Sequence, residues 1–350
     1  MKQQKKNIGR AFLFGCFLLA LLLISSDLQA ETLNTTETPL VSNVHDPIII
    51  DGDGDFTSAN GVGEGTGVET DPFIIEGWVI DGAAANGIFI QNTEKYLIIR
   101  NCEITNFGEA GIKLDGVMNV VIENNLIDQG DNGPGISLQD TQNIDILEND
   151  VRNAEIGILV QESIEVEVIE NIFAYCTEGI QIQNTDSSKF VYNIVAENSD
   201  YGINVLGGCN DNNIYKNNFI ENGINTHCSS APAANLWYVG TTGNYYSDYE
   251  ELHPQATHNG QFWSITYNIP GDAQDEDKCP LIGPTVRLPD EFISDPVEEP
   301  DPGNGNGDPG NGNDDPIDNP FPFNPVIGGV VIIIIIGGGG FILVIRRVRG

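Results

Sequence analysis

The chain has 350 residues, with 51 Asp and Glu against 15 Lys and Arg, a formal net charge of −36. A surface so acidic repels nucleic acid and attracts cations, so a nucleic-acid partner is excluded. The length leaves room for one or two domains.

Residues 1–30 read as a secretory signal. Lys2, Lys5, Lys6 and Arg10 precede an apolar run from 11 to 24, and cleavage is expected after Ala30. Leu28 stands where a small residue is usual, so an uncleaved signal anchor is the alternative. Residues 31–44 form a polar leader, and residues 45–73 are expected to form an N-terminal cap. In that cap Asp51, Asp53 and Asp55 imitate the start of an EF-hand loop. Phe56 and Val62 replace its sixth-position Gly and twelfth-position Glu, so a polar turn with weak cation affinity is expected.

An internal repeat occupies residues 74–234. A Gly-Ile pair recurs at Gly87-Ile88, Gly111-Ile112, Gly135-Ile136, Gly157-Ile158, Gly179-Ile180, Gly202-Ile203 and Gly223-Ile224. A second marker keeps the same phase at Asn101, Asn124, Asn149, Asn171, Asn193 and Asn217. Between markers, stretches such as Val166-Glu167-Val168 alternate apolar and charged residues, the period of half-buried strands. A unit this short cannot fold alone, but it can wind one rung of a solenoid. The expected fold class is all-β, a single-stranded right-handed parallel β-helix of seven to eight rungs. Equivalent residues should stack in columns about 4.8 Å apart. Ile88, Ile112, Ile136, Ile158, Ile180 and Ile203 would then form one inner ridge. The recurrent Gly suits a positive φ or a close backbone approach. The recurrent Asn suits a bend, since Asn tolerates the left-handed region.

Residues 235–287 are expected to close the upper end. Residues 288–325, rich in Pro, Gly, Asn and Asp, cannot bury enough apolar surface to fold and are read as a disordered acidic stalk. Residues 326–345 carry no charge and are long enough for a transmembrane helix, and Arg346, Arg347 and Arg349 follow in a basic tail, 346–350. The expected location is a cell membrane crossed once, with the body outside. Between the ends, residues 31–325 hold eight basic groups against fifty acidic ones, a net of about −42.

Of six cysteines, Cys16 lies in the signal and five remain. An exterior location permits disulfides, and Cys209 with Cys228, a little under one repeat apart, is the pair best spaced for a bridge. Cys102 and Cys176 fall within repeat bodies and read as small buried apolar groups.

The Asn-marked rungs resemble the repeats of pectin-lyase-like parallel β-helix proteins. More narrowly, the chain resembles the NosD-type β-helix proteins of the archaeal cell-surface kind. Pro47-Ile48-Ile49-Ile50 and Asp71-Pro72-Phe73-Ile74-Ile75-Glu76-Gly77-Trp78 resemble that family's entry segment. Gly243-Asn244-Tyr245-Tyr246-Ser247-Asp248-Tyr249 and Tyr267-Asn268-Ile269-Pro270-Gly271 resemble its closing segment. The family's Asp/Gly-rich closing loop is replaced here by residues 250–266, which hold His253 and His258 but no Asp.

The family name implies copper handling, which needs soft or imidazole ligands. Met118 and four histidines (His45, His227, His253 and His258) are scattered along the chain, which argues against copper. A lyase or hydrolase acting on polysaccharide is the enzymatic alternative on this fold, and no cluster of paired acids with a nearby base stands out. The preferred reading is a surface protein that binds glycans or envelope components without catalysis. Gln91, Asp115, Gln139, Gln161 and Gln183 lie three residues after the marker Ile and should form an outward ladder. Lys113, Ser137, Gln181 and Asn204 share that face. Glu123, Glu148 and Glu170 each precede a marker Asn and are expected to stack, where bridging Ca2+ would relieve their repulsion.

Overall fold

A computed structural model describes residues 43–130, 132–229, 235–293, 330–337 and 340–347 of the chain. The described residues fall into two units, one ending at residue 293 and the other beginning at residue 330. The expected signal, most of the leader, and the stalk beyond 293 lie outside the described residues.

The first unit is a right-handed parallel β-helix. Each rung lays down three strands, for example Ile136–Gln139, Gln142–Leu147 and Asp150–Arg152. The next rung repeats them as Ile156–Gln161, Ile164–Ile169 and Ile172–Ala174. Stacked rungs make three parallel sheets. The first runs from Asn43–His45 to Tyr245–Tyr246, the second from Ile48–Asp51 to Ile224–Cys228, and the third from Phe73–Glu76 to Asn213–Tyr215. Ala110–Glu123 belongs to both the second and the third.

The isoleucine ridge is present. Ile88, Ile112, Ile136, Ile158, Ile180 and Ile203 pair in register, and each is 0% exposed. Burying each side chain contributes roughly 2 kcal/mol. The paired glycines serve close approach: Gly87, Gly111, Gly135, Gly157, Gly179 and Gly202 all keep ordinary negative φ. A Cβ on Gly157 would sit 2.4 Å from the carbonyl oxygen of Gly179 one rung above. The seventh marker departs from this pattern. Ile224 pairs with Tyr201 rather than Ile203 and is 40% exposed, and Thr226 takes the ridge position.

A second column fills the bend between the third and first sheets. Asn125, Asn149, Asn171, Asn193, Asn217 and Asn244 are all buried. Each Nδ2 donates to the Oδ1 of the next, at 2.9, 3.0, 3.1, 2.9 and 3.1 Å. Each also donates to a carbonyl of the strand a rung below, as Asn171 does to Ile146 at 2.8 Å. The ladder ends on Asp277, whose Oδ2 accepts from the Asn244 backbone N–H at 2.7 Å. Asn101 and Asn124, read as members of this column, lie one residue earlier, on the outer corner at φ 53° and 55°. Cys102 and Asn125 hold the ladder positions there, with the Cys102 N–H donating to Asn125.

The two ends are built differently. Asn43–His45 and Ile48–Asp51 pair with Trp78–Asp81 and Asn86–Thr93, so the lower cap begins as a rung. Above, Phe219, Tyr246 and Tyr267 stack, with the two tyrosine rings 3.6 Å apart, and Trp237 and Tyr249 are buried beside them. The first residues assigned to the stalk are packed, not free. Phe292 is buried against Ala174, Ala196, Ile194 and Ile220 on the outer face of the first sheet. Arg152 holds Glu291 at 2.8 Å, and the Thr285 N–H donates to Asn218. Small side chains on that sheet leave a trough that the arm fills.

The transmembrane helix expected over 326–345 is corrected on the residues described. Val330–Gly337 and Gly340–Arg347 pair as antiparallel strands. Seven consecutive Val and Ile residues favour extended backbone, and the adjoining glycines favour a reversal. Among the described residues no helix is long and apolar enough to cross a membrane.

Candidate functional site

The outer face of the second sheet is built from three columns. Farthest along each strand, Asp51, Gln91, Asp115, Gln139, Gln161 and Gln183 stand in register. Gln161 Nε2 donates to Gln183 Oε1 at 3.0 Å, and Gln139 Nε2 to Glu162 Oε2 at 2.8 Å. These bonds leave the amides half-exposed and fixed in direction, since each rung constrains its neighbour.

The central column runs Phe89, Lys113, Ser137, Leu159, Gln181, Asn204 and His227. The Lys113 ammonium lies 5.0 Å from the centre of the Phe89 ring. The third column ends in Ile156, Glu178, Tyr201 and Ile224. At the upper end the columns interlock. Glu178 Oε2 accepts from Gln181 at 2.9 Å and from Asn204 at 3.1 Å. His227 Nδ1 lies 3.0 Å from Asn204 Oδ1, and its ring tilts against Tyr201 at 5.1 Å between centroids. Such a face offers flat apolar contact ringed by oriented donors and acceptors, the chemistry that engages hydroxylated ligands.

Sequence reasoning missed Glu178 and Tyr201 as partners in this patch. Both lie two residues before the marker Ile, an even offset that strict alternation would turn inward. The buried glycines between them and the Ile, Gly179 and Gly202, break the alternation and bring Glu178 and Tyr201 to the outer face, so the sequence pattern carried no signal for them.

The candidate cation residues do not come together as expected. Glu123 stands in register with Arg100 and Leu147, inside a strand. Glu148 and Glu170 occupy the outer corner at φ 54° and 58°. The triple column fails because Asn124 is a corner residue, which puts Glu123 one position out of phase. Asp51 accepts from Asn92 at 2.8 Å, Asp53 from Thr93 Oγ1 at 2.7 Å, and Asp55 from the Asp51 N–H at 3.1 Å. Three carboxylates with three separate partners do not form a cage. Among the described residues no group of three or more His, Cys, Asp or Glu side chains is arranged to hold a metal ion.

Burial pushes the thiols of Cys102 and Cys176 up to about 11, which suppresses the reactive thiolate. Cys209 and Cys228 are also buried, and Cys228 pairs in register with Val205. One titrating group of note lies away from this face. Burial raises the Asp277 carboxyl to about 6, against the opposing pull of the N–H groups of Asn244 and Cys279.

Residues 47–251 match the sequence profile of the family described as periplasmic copper-binding protein (NosD). A search of the curated proteins finds no match. Among solved structures, the chain is similar to a mutant of the periplasmic alginate epimerase AlgG, at 19% identity and TM-score 0.40 over 45% of this chain and 38% of that one. It is similar to the A-module of the Azotobacter vinelandii mannuronan C-5 epimerase AlgE6, at 14% identity and TM-score 0.35 over 57% and 71%. It is also similar to PfbA, a surface adhesin of Streptococcus pneumoniae, at 11% identity and TM-score 0.35 over 59% and 75%. The chain thus spans well under half of the AlgG structure.

Proposed function

The chain belongs to the NosD family, and from that premise we propose that it is an exported β-helix protein that binds glycan along the outer face of its second sheet. The observation that carries this reading is the set of three outward columns in register, amides and aromatics interleaved, with their hydrogen bonds already oriented. Preorganised polar groups lose little freedom on binding, so a chain of hydroxyls laid across the rungs meets donors and acceptors at regular height. The signal expected over residues 1–30 and the acidic composition suit an exterior location. A polysaccharide-cleaving activity is the competing role.

Copper, named in the family description, is not part of this proposal, because the side chains do not fit it. His45 bonds to Asp46 and packs on Trp78, while His227 is engaged by Asn204. His253 packs on Tyr249 and His258 on Trp263. Met118 lies in the third sheet beside Gln142. Copper(I) and copper(II) sites need several imidazole or sulfur ligands converging on one point.

The test is a glycan array probed with the full-length protein and with a triple variant, Gln139→Ala, Gln161→Ala and Gln183→Ala. Expected is selective binding by the parent and at least a tenfold loss in the variant. Equal binding by both, or none by the parent, ends the proposal. Release of reducing ends or unsaturated products from a polysaccharide panel would instead establish the enzymatic role.

A further inference from the structure

We propose that the upper end of the second sheet is a subsite for a glycan bearing free amino groups, with Tyr201 and His227 as the platform and Glu178 as the ammonium partner. This rests on the glycan-binding reading above and names the ligand class.

The first support is a built network. Asn204 is 5% exposed and uses both ends of its amide, donating to Glu178 and meeting His227 Nδ1. Gln181 donates to the same carboxylate oxygen. Both of these bonds fall on Oε2, which leaves Oε1 as an acceptor held in a fixed direction. Charge-assisted hydrogen bonds from an ammonium to such an oxygen are about twice as strong as neutral ones. Beside it, the Tyr201–His227 pair supplies the flat apolar surface on which the hydrophobic face of a sugar ring packs. An ammonium near the Tyr201 ring gains a further cation–π attraction.

The second support is charge. Asp51, Asp115 and Glu178 lie within the three columns, and Glu162 borders them through its bond to Gln139. Lys113 is the one Lys or Arg in the columns, its ammonium 5.0 Å from the centre of the Phe89 ring, and it offsets one of these charges. The acidic excess of the whole chain extends the same field outward. A uronan, carrying a negative charge on each ring, is repelled by this face, and a chain with a positive charge on each ring is drawn to it. The rung rise of about 4.8 Å is also close to the length of one hexose unit, so successive rings meet successive rungs.

The experiment measures binding of the full-length protein to four probes: a chitosan hexamer, its fully N-acetylated counterpart, an alginate hexamer and a lysine hexapeptide. The chitosan hexamer is expected to bind at least tenfold tighter than each of the others and to weaken steeply with added salt. Glu178→Gln is expected to reduce that affinity about tenfold with an unchanged melting temperature, and Tyr201→Ala to reduce it further. Equal or tighter binding of the acetylated or alginate hexamer would overturn the subsite assignment while leaving the glycan-binding reading in place. Equal binding of the lysine peptide, or no effect of Glu178→Gln, would overturn it too. Failure of every glycan, on this panel and on the array, would remove the glycan-binding reading itself.

Discussion

The middle rungs and the upper end bury their chain by opposite means. From Ile112 to Ile203 each residue meets its equivalent, so Ile packs on Ile and Asn bonds to Asn. Above Asn217 the repetition stops at Asn244, and unlike groups take over: stacked tyrosines, a buried Trp237, and Asp277 as terminal acceptor. Repetition satisfies polar groups without any new partner being invented. Closure of a ladder requires a group that accepts without needing to donate, and an ionisable carboxylate does so.

That contrast can be broken first in the middle. Gly157→Ala places a methyl group against a carbonyl fixed by its own rung, so about 4 kcal/mol of destabilisation is expected in denaturant melts. Gly207, where an added Cβ would meet nothing within 4 Å, serves as the neutral control for the same substitution. Next, Asn171→Ala strips a buried acceptor from Asn149 and two donors from Ile146 and Asn193. A loss of about 3 kcal/mol is expected, because each orphaned partner remains buried.

At the upper end the expected signature is a pH dependence. The Asp277 carboxyl titrates near 6 in the folded chain and at the ordinary 3.8 when unfolded. The folded state therefore binds its proton more tightly, and this contribution is fully present below pH 3.8 and lost as pH rises through 6. The shift corresponds to at most about 3 kcal/mol. Asp277→Asn should flatten this component, read as the difference between the two proteins' melting temperatures from about pH 4 to 7. Parallel curves would mean that Asp277 does not carry it. The smallest effect is expected at the arm: Phe292→Ala uncovers the trough on the first sheet, at about 2 kcal/mol, with faster proteolysis near residue 293.

The solenoid was legible in the sequence because one apolar residue per rung must face inward at a fixed phase. The Asn marker misled by one residue at Asn124 and Asn101, since Asn suits both jobs found at that bend. It tolerates the left-handed corner and it bonds within the ladder, and Asn124-Asn125 supplies both in succession. Gly223-Ile224 kept its spacing while its register slipped, because strand pairing rather than spacing decides what faces inward. The arm at 285–293 was hidden by composition, as its few apolar residues sit among Pro and acidic groups. The patch around Glu178 was half visible: its glutamine neighbours repeat, whereas Glu178, Tyr201 and His227 each occur once in their columns.

The outer corner of the helix carries a different kind of freedom. Asn101, Asn124, Glu148, Glu170, Tyr192 and Lys216 follow one another there, all with positive φ and none buried. That backbone conformation disfavours most side chains by about 1 kcal/mol each, yet acid, amide, phenol and amine all occupy it. The constraint that holds the corner is beneath it, in the amide stack, and not in the identity of the corner residue. A row of corners that accepts unlike side chains at a constant pitch is a natural ruler, with different chemistry carried rung by rung on one scaffold.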